Sequence, residues 1–239
     1  MNKICLLIHG YLTDYHDFTS LPQHLIKYYD QVILLCLPGH ENKCNLKNFT
    51  KDNVFTYLDY EISKVMKPNN QVDIIGFSLG GALAWYYSLK YNFHKVVLLA
   101  PAIHNLNLNL VSDKWHHRKQ LKQYDNNIYK EEIKKALQRD KEAVQFVIKN
   151  TLPKFSIKNG VEFIKIVKEI NSMKGSSPVP TLIIRGELDE LVKKDVIKII
   201  SDRLTGIKEI YEVPNIGHMM LRTDYEQEII EKIIYFLER

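Results

Sequence analysis

Residues 76–81 read Gly76-Phe77-Ser78-Leu79-Gly80-Gly81, and the chain changes character across them. Before them lies Gln71-Val72-Asp73-Ile74-Ile75, short and β-branched, which predicts a strand. After them come Ala82, Leu83, Ala84, Trp85 and Tyr86, leading to Leu89, a run of mostly good helix formers. Ser78 therefore sits where a strand turns sharply into a helix, with glycines on both sides. This is the G-x-S-x-G elbow in its expected context. A tight strand-to-helix turn strains the serine backbone and brings neighbouring backbone close, so residues without a Cβ are required beside it. Oγ then stands clear of the sheet at a helix N-terminus, where the dipole favours developing negative charge. The bland alternative is a glycine-rich turn that only packs a helix on a sheet.

The flanking sequence repeats the same alternation. Lys3 to Ile8 is a continuous apolar run, as in a strand covered on both faces, and it ends in His9-Gly10-Tyr11. A helix is predicted over Asp17 to Tyr29, on Leu21, Leu25, Tyr28 and Tyr29. Gln31 to Leu37 is a second strand, ended by Pro38-Gly39-His40. Lys51 to Lys67 carries Val54, Leu58, Ile62 and Val65 on one helix face. Beyond the elbow, Lys95 to Ala100 is a fourth strand. Strand and helix in alternation predict an α/β fold, a mostly parallel sheet with helices on both faces. Ligands of such sheets bind beyond the carboxyl ends of the strands, where His9-Gly10-Tyr11, Pro38-Gly39-His40 and Ser78 all fall.

From about 102 to 177 the alternation stops. Leu106, Leu108 and Leu110 alternate with asparagines, and helices are predicted near Lys130–Lys149 and Gly160–Met173. This reads as a helical cap insertion over the rim, with the last helix either in the cap or back in the main layer. The alternation then resumes. Thr181 to Arg185 is a strand ended by Gly186-Glu187-Leu188-Asp189, and Lys193 to Leu204 is a helix. Lys208 to Val213 is a strand followed by Pro214-Asn215-Ile216-Gly217-His218, and Asp224 to Leu237 is a closing amphipathic helix. The whole chain, 1–239, reads as one domain with that insertion.

Composition excludes several classes. The net charge is +5, but acidic and basic residues are mixed along the chain, without the basic block that tracks nucleic acid. The three cysteines, Cys5, Cys36 and Cys44, have neither disulfide-framework nor metal-site spacing and fit a reducing compartment. The first apolar run is too short for a signal peptide, and no stretch approaches a membrane span. A cytoplasmic protein without cofactor or metal is expected. Oligomeric state is not legible.

A serine hydroxyl needs a base, and the base needs a group that holds its tautomer. Ser78, Asp189 and His218 supply the three, each after a predicted strand, in the order Ser, Asp, His. With Ile8-His9-Gly10-Tyr11, Leu37-Pro38-Gly39-His40, Gly76-Phe77-Ser78-Leu79-Gly80-Gly81, Gly186-Glu187-Leu188-Asp189 and Gly217-His218-Met219-Met220, the chain resembles the α/β-hydrolase superfamily. Bacterial carboxylesterases and monoacylglycerol-lipase-like serine hydrolases are the nearest in pattern. The resemblance implies a catalytic triad of Ser78, Asp189 and His218, and an oxyanion hole from the backbone N–H groups of Tyr11 and Leu79. It implies a small-molecule ester as substrate.

Other residues carry two readings each. His9 either touches the site or supports its loop, and His40 stabilises the loop after the second strand. Glu187 and Glu190 flank Asp189 as rival acids. Tyr11's ring shapes an acyl pocket or simply packs. His104, His116 and His117 read as surface histidines rather than metal ligands, and Trp115 lines a pocket or fills the cap's own core. The rival activities are a thioesterase, a monoacylglycerol or lysophospholipid lipase, or a peptidase acting on N-terminal proline. From a different class comes a catalytically idle α/β-hydrolase fold that only binds.

Overall fold

The first strand sits inside the sheet because nearly every side chain on it is apolar. In β1 (Asn2–Ile8), residues Ile4 to Ile8 are all buried. Ile4, Leu6 and Ile8 face one hydrophobic layer and Cys5 and Leu7 the other, as a strand covered on both sides requires. The computed structural model describes residues 1–40, 45–103, 156–189 and 191–239. Over these the remaining strands are β2 (Gln31–Leu35), β3 (Asn70–Phe77), β4 (Lys95–Leu99), β5 (Thr181–Gly186) and β6 (Lys208–Val213). They form one sheet in the order β2-β1-β3-β4-β5-β6, with every pairing parallel.

Helices cover both faces. The described α-helices are α1 (Leu21–Leu25), α2 (Lys51–Val65), α3 (Leu79–Ser88), α4 (Ile157–Ser172), α5 (Asp195–Ser201) and α6 (Glu226–Glu238). Apolar residues of α2, α3, α4 and α5 share one layer, whereas α1 and α6 pack in the opposite one. α3 is buried along its whole length, consistent with its uniformly apolar sequence.

Successive connections leave β1 toward β2 on one side and β3 on the other. This makes the gap between the ends of β1 and β3 the topological switch point. Ile8 is registered on Gly76 and Phe77 on Leu99, so the chain leaves β1, β3 and β4 at nearly one level.

Three expected helices need correction. No helix spans Asp17 to Tyr29; a 3-10 turn covers Tyr15–Phe18 and α1 begins at Leu21. The break is local chemistry. Pro22 has no N–H and its ring excludes the carbonyl four residues back, so it fits only the first turn of a new helix. The backbone reverses at Thr19, with φ of 46°. The helix expected over Lys193–Leu204 is trimmed to Asp195–Ser201. The helix near Gly160–Met173 starts earlier, at Ile157, because the Ser156 side chain accepts the Asn159 N–H. Its Phe163, Ile166, Val167 and Ile170 join the core of the sheet layer, so this helix lies in the main layer. Cys44, Glu190 and 104–155, with His104, Trp115, His116, His117 and most of the expected cap, lie outside the described residues.

Candidate active site

Ser78 holds a backbone that side chains rarely adopt, φ 54° and ψ −115°. Three hydrogen bonds fix it there. Its N–H donates to Leu99 O at 2.8 Å, and its carbonyl accepts the N–H groups of Ala82 and Ala102, both at 3.0 Å. The glycines are required by close approach. A Cβ on Gly76 would stand 2.1 Å from Gly80 O, and one on Gly80 would stand 1.9 Å from Ile8 O. The first turn of α3 thus lies directly on the end of β1.

His218 and Asp189 arrive from the ends of β6 and β5. His218 Nε2 is 2.9 Å from Ser78 Oγ, and Nδ1 is 3.1 and 3.0 Å from the two oxygens of Asp189. The His218 and Asp189 side chains are 4% and 0% exposed, so water does not compete for these bonds. The carboxylate also accepts the N–H groups of Leu191 and Val192 through Oδ1, each at 2.9 Å. The acceptor at Nδ1 places the imidazole proton there, leaving Nε2 to accept from the serine hydroxyl. Phe77 packs beside the ring, centroids 5.1 Å apart. Glu187 is turned elsewhere and accepts the Asn215 N–H at 3.2 Å. Glu190 is outside the described residues.

The loop after β1 is tied at consecutive peptides. Gly10 N–H donates to Asp17 Oδ2 at 2.8 Å. Gly10 O lies 2.7 Å from His9 Nδ1. Leu12 N–H donates to His40 Nε2 at 3.1 Å. His9 Nε2 in turn accepts the Leu37 N–H at 2.9 Å, so Nδ1 carries the proton that Gly10 O receives. His9 is therefore a support of the loop. Burial, with His40 beside it, pushes its pKa down to about 3, and the neutral ring is what these two bonds need. His40 was expected to steady its own loop; it also reaches across to Leu12, a role that no local pattern signals. The amide of Tyr11, between these tied groups, takes no partner among the described residues, and neither does that of Leu79 at the start of α3.

Tyr11's ring packs between Phe49 and Phe163, with centroids at 4.9 and 5.0 Å. Its hydroxyl is buried with no hydrogen-bond partner among the described residues. Sequence reasoning missed Asp17. It reads as the first residue of a surface helix, yet it is fully buried under the loop, where burial raises its pKa to about 6 against the pull of Thr13, Gly10 and Arg222.

The fold and this cluster agree with the likeness to known proteins. The family model described as serine aminopeptidase, S33, matches residues 1–226. The chain belongs to that family. It is similar in structure to one from work on LipS and LipT, two metagenome-derived lipolytic enzymes. That match has a TM-score of 0.71 at 14% identity and covers 100% of this chain and 95% of the other. Similarity to the Paleococcus ferrophilus monoacylglycerol lipase is of the same order, with a TM-score of 0.70 at 18% identity, covering 98% and 93%. A curated Haemophilus influenzae protein, provisionally named 2-succinyl-6-hydroxy-2,4-cyclohexadiene-1-carboxylate synthase, is 28% identical over 108 residues, 45% of this chain. The match spans only 42% of that relative's length. The chain has the α/β-hydrolase superfamily fold and resembles esterase- and lipase-type serine hydrolases. Among the described residues no helix is long and apolar enough to cross a membrane, and no three His, Cys, Asp or Glu are grouped to hold a metal ion.

Proposed function

We propose that the protein is a serine hydrolase that cleaves carboxylic esters of small molecules through an acyl-enzyme. Ser78 Oγ attacks the ester carbonyl as His218 Nε2 takes its proton. Asp189 holds the imidazole and stabilises the imidazolium. The N–H groups of Tyr11 and Leu79 receive the oxyanion, and their positions are set by the fold before charge develops. His218 then gives its proton to the leaving alcohol, and water repeats the sequence to release the acid. The observation that carries this reading is the unbroken hydrogen-bonded chain from Ser78 through His218 to Asp189. The cysteine spacing, which suits neither a disulfide framework nor a metal site, fits a cytoplasmic setting for this reading.

A second reading uses the same residues on an amide. The family's name favours it, since an aminopeptidase cleaves the bond after an N-terminal residue. One experiment separates the two. Turnover of p-nitrophenyl esters from acetate to palmitate is measured beside a set of aminoacyl p-nitroanilides, with Ser78→Ala protein as control. Ester turnover that vanishes in the variant supports the esterase reading, and the preferred chain length reports the acyl pocket. Anilide turnover without ester turnover favours the peptidase. A folded wild-type protein that turns over neither, with a serine that a fluorophosphonate does not label, leaves a fold that only binds.

A further inference from the structure

The Tyr11 amide can meet an oxyanion only if its peptide plane is held. Its own plane is tied through Gly10 O by His9, and the plane after it through Leu12 N–H by His40. The plane before it is tied by a group outside the proposed triad. Asp17 Oδ2 accepts both the Gly10 N–H, at 2.8 Å, and the Thr13 O–H, at 2.5 Å. The two donors bracket Tyr11, so one oxygen pegs both ends of the turn. The other oxygen, Oδ1, faces Arg222 Nη2 at 4.0 Å, and both side chains are almost wholly shielded from water. Arg222 ends the 3-10 turn Met220–Arg222, which is separated from His218 by Met219 alone. Within that segment Met220 N–H donates to His218 O and Arg222 N–H to Met219 O, at 2.9 and 3.0 Å. A single buried carboxylate thus stands between the segment carrying the proposed oxyanion donor and the segment carrying the proposed base.

We propose that Asp17 is a positioning residue for the reaction, holding the Tyr11 amide in register with His218. The proposal rests on the reading of Ser78 given above. A fully buried carboxylate is costly, and an apolar side chain of similar volume is often at least as stable in such a place. Local stability therefore does not account for a charge there; one oxygen hydrogen-bonded to the loop and the other, without a hydrogen bond among the described residues, in an ion pair with Arg222 do. Asp17 touches no reacting atom in this scheme. It acts through Gly10, Thr13 and Arg222.

The test compares wild-type, Ser78→Ala, Asp17→Ala, Asp17→Asn and Thr13→Val proteins. The readings are kcat and KM for p-nitrophenyl butyrate, the rate of fluorophosphonate labelling, and Tm. A misplaced oxyanion donor is felt in the transition state rather than in substrate binding. For Asp17→Ala, kcat and the labelling rate fall by about ten- to a hundredfold while KM stays within about twofold. Asp17→Asn keeps a carbonyl oxygen for both donors but loses the charge that faces Arg222, so its loss is smaller than that of Asp17→Ala and still measurable. Thr13→Val gives an intermediate loss, and it decides the matter if Asp17→Ala does not fold. Variants with lower Tm but wild-type kcat and labelling overturn the proposal and leave Asp17 a purely structural residue. A rise in KM at unchanged kcat also overturns it. If wild-type and Ser78→Ala proteins behave alike, the reading of Ser78 fails and this proposal falls with it. That result differs from an active wild type whose Asp17 variants are unaffected.

Discussion

His218 Nε2 meets Ser78 Oγ at 2.9 Å across 140 residues of sequence. Nothing local brings them together. The contact exists because β5 and β6 extend the sheet beyond β4 in parallel, which delivers both carboxyl ends to the rim where the elbow stands. His218→Ala removes the proposed base and leaves that framework in place. Turnover is expected to fall by about four to six orders of magnitude, with circular dichroism unchanged. Retention of even a tenth of wild-type ester turnover would remove His218 from the mechanism.

The elbow makes a prediction about stability as well as activity. A methyl group at Gly80 has no room, because it meets the Ile8 carbonyl at 1.9 Å and backbone does not yield as a side chain does. At Gly81 the nearest contact is Pro101 Cα at 3.0 Å. Gly80→Ala is expected to displace α3 from β1, abolishing turnover and lowering Tm sharply. Gly81→Ala is expected to fold and to lose far less. Comparable Tm values for the two proteins would contradict the packing described here.

Two buried groups next to the site pull the pH dependence of stability in opposite directions. His9 has a folded-state pKa of about 3 against an ordinary 6.5. Its contribution is present above pH 6.5 and is lost as pH falls toward 3. Asp17 is raised to about 6 from an ordinary 3.8. Its contribution is present below pH 3.8 and is lost as pH rises through 6. Each slope is at most about 1.4 kcal/mol per pH unit, and between pH 4 and 6 they oppose. Urea unfolding across that window is expected to show Asp17→Asn losing stability on acidification more steeply than wild type. His9→Asn should lose it less steeply, or gain. An Asp17→Asn slope equal to that of wild type would mean that the Asp17 carboxyl is not raised.

The sheet was legible because burial on both faces writes a strand as a run of apolar residues. Lys208–Val213 matches the structure at both ends. The candidate site was legible where chemistry demands residue types in chain order: Ser78, Asp189 and His218, read from the sequence, are hydrogen-bonded together. The role of Asp17 and the reach of His40 to Leu12 were not legible, for a shared reason. Each works by a side-chain bond to backbone elsewhere, and His40 lies 28 residues from the Leu12 amide it receives. Such a bond has no period and no spacing. The helix expected from Asp17 failed because apolar spacing was read past Pro22, whose missing N–H outweighs it. Glu187 could be told from Asp189 only by where β5 ends and which way the following loop turns.

That loop carries the most specific prediction. Asp189 has two tasks. Oδ1 receives the N–H groups of Leu191 and Val192, and the carboxylate as a whole faces Nδ1 of His218. In Asp189→Asn the carbonyl oxygen is held by the two loop amides, so the NH2 group is what His218 meets. Nδ1 must then accept, the proton moves to Nε2, and the ring no longer has a lone pair for the Ser78 hydroxyl. The expected result is a loss of about ten-thousandfold in kcat with Tm near that of wild type. Asp189→Ala differs, because it also orphans two part-buried amides and should cost about 1–3 kcal/mol of stability. Glu187→Gln is the comparison that keeps the assignment honest. Among the described residues its carboxylate holds only the Asn215 N–H, which a glutamine oxygen can also accept, so turnover should barely change. Should Glu187→Gln lose as much kcat as Asp189→Asn, the acid has been misassigned.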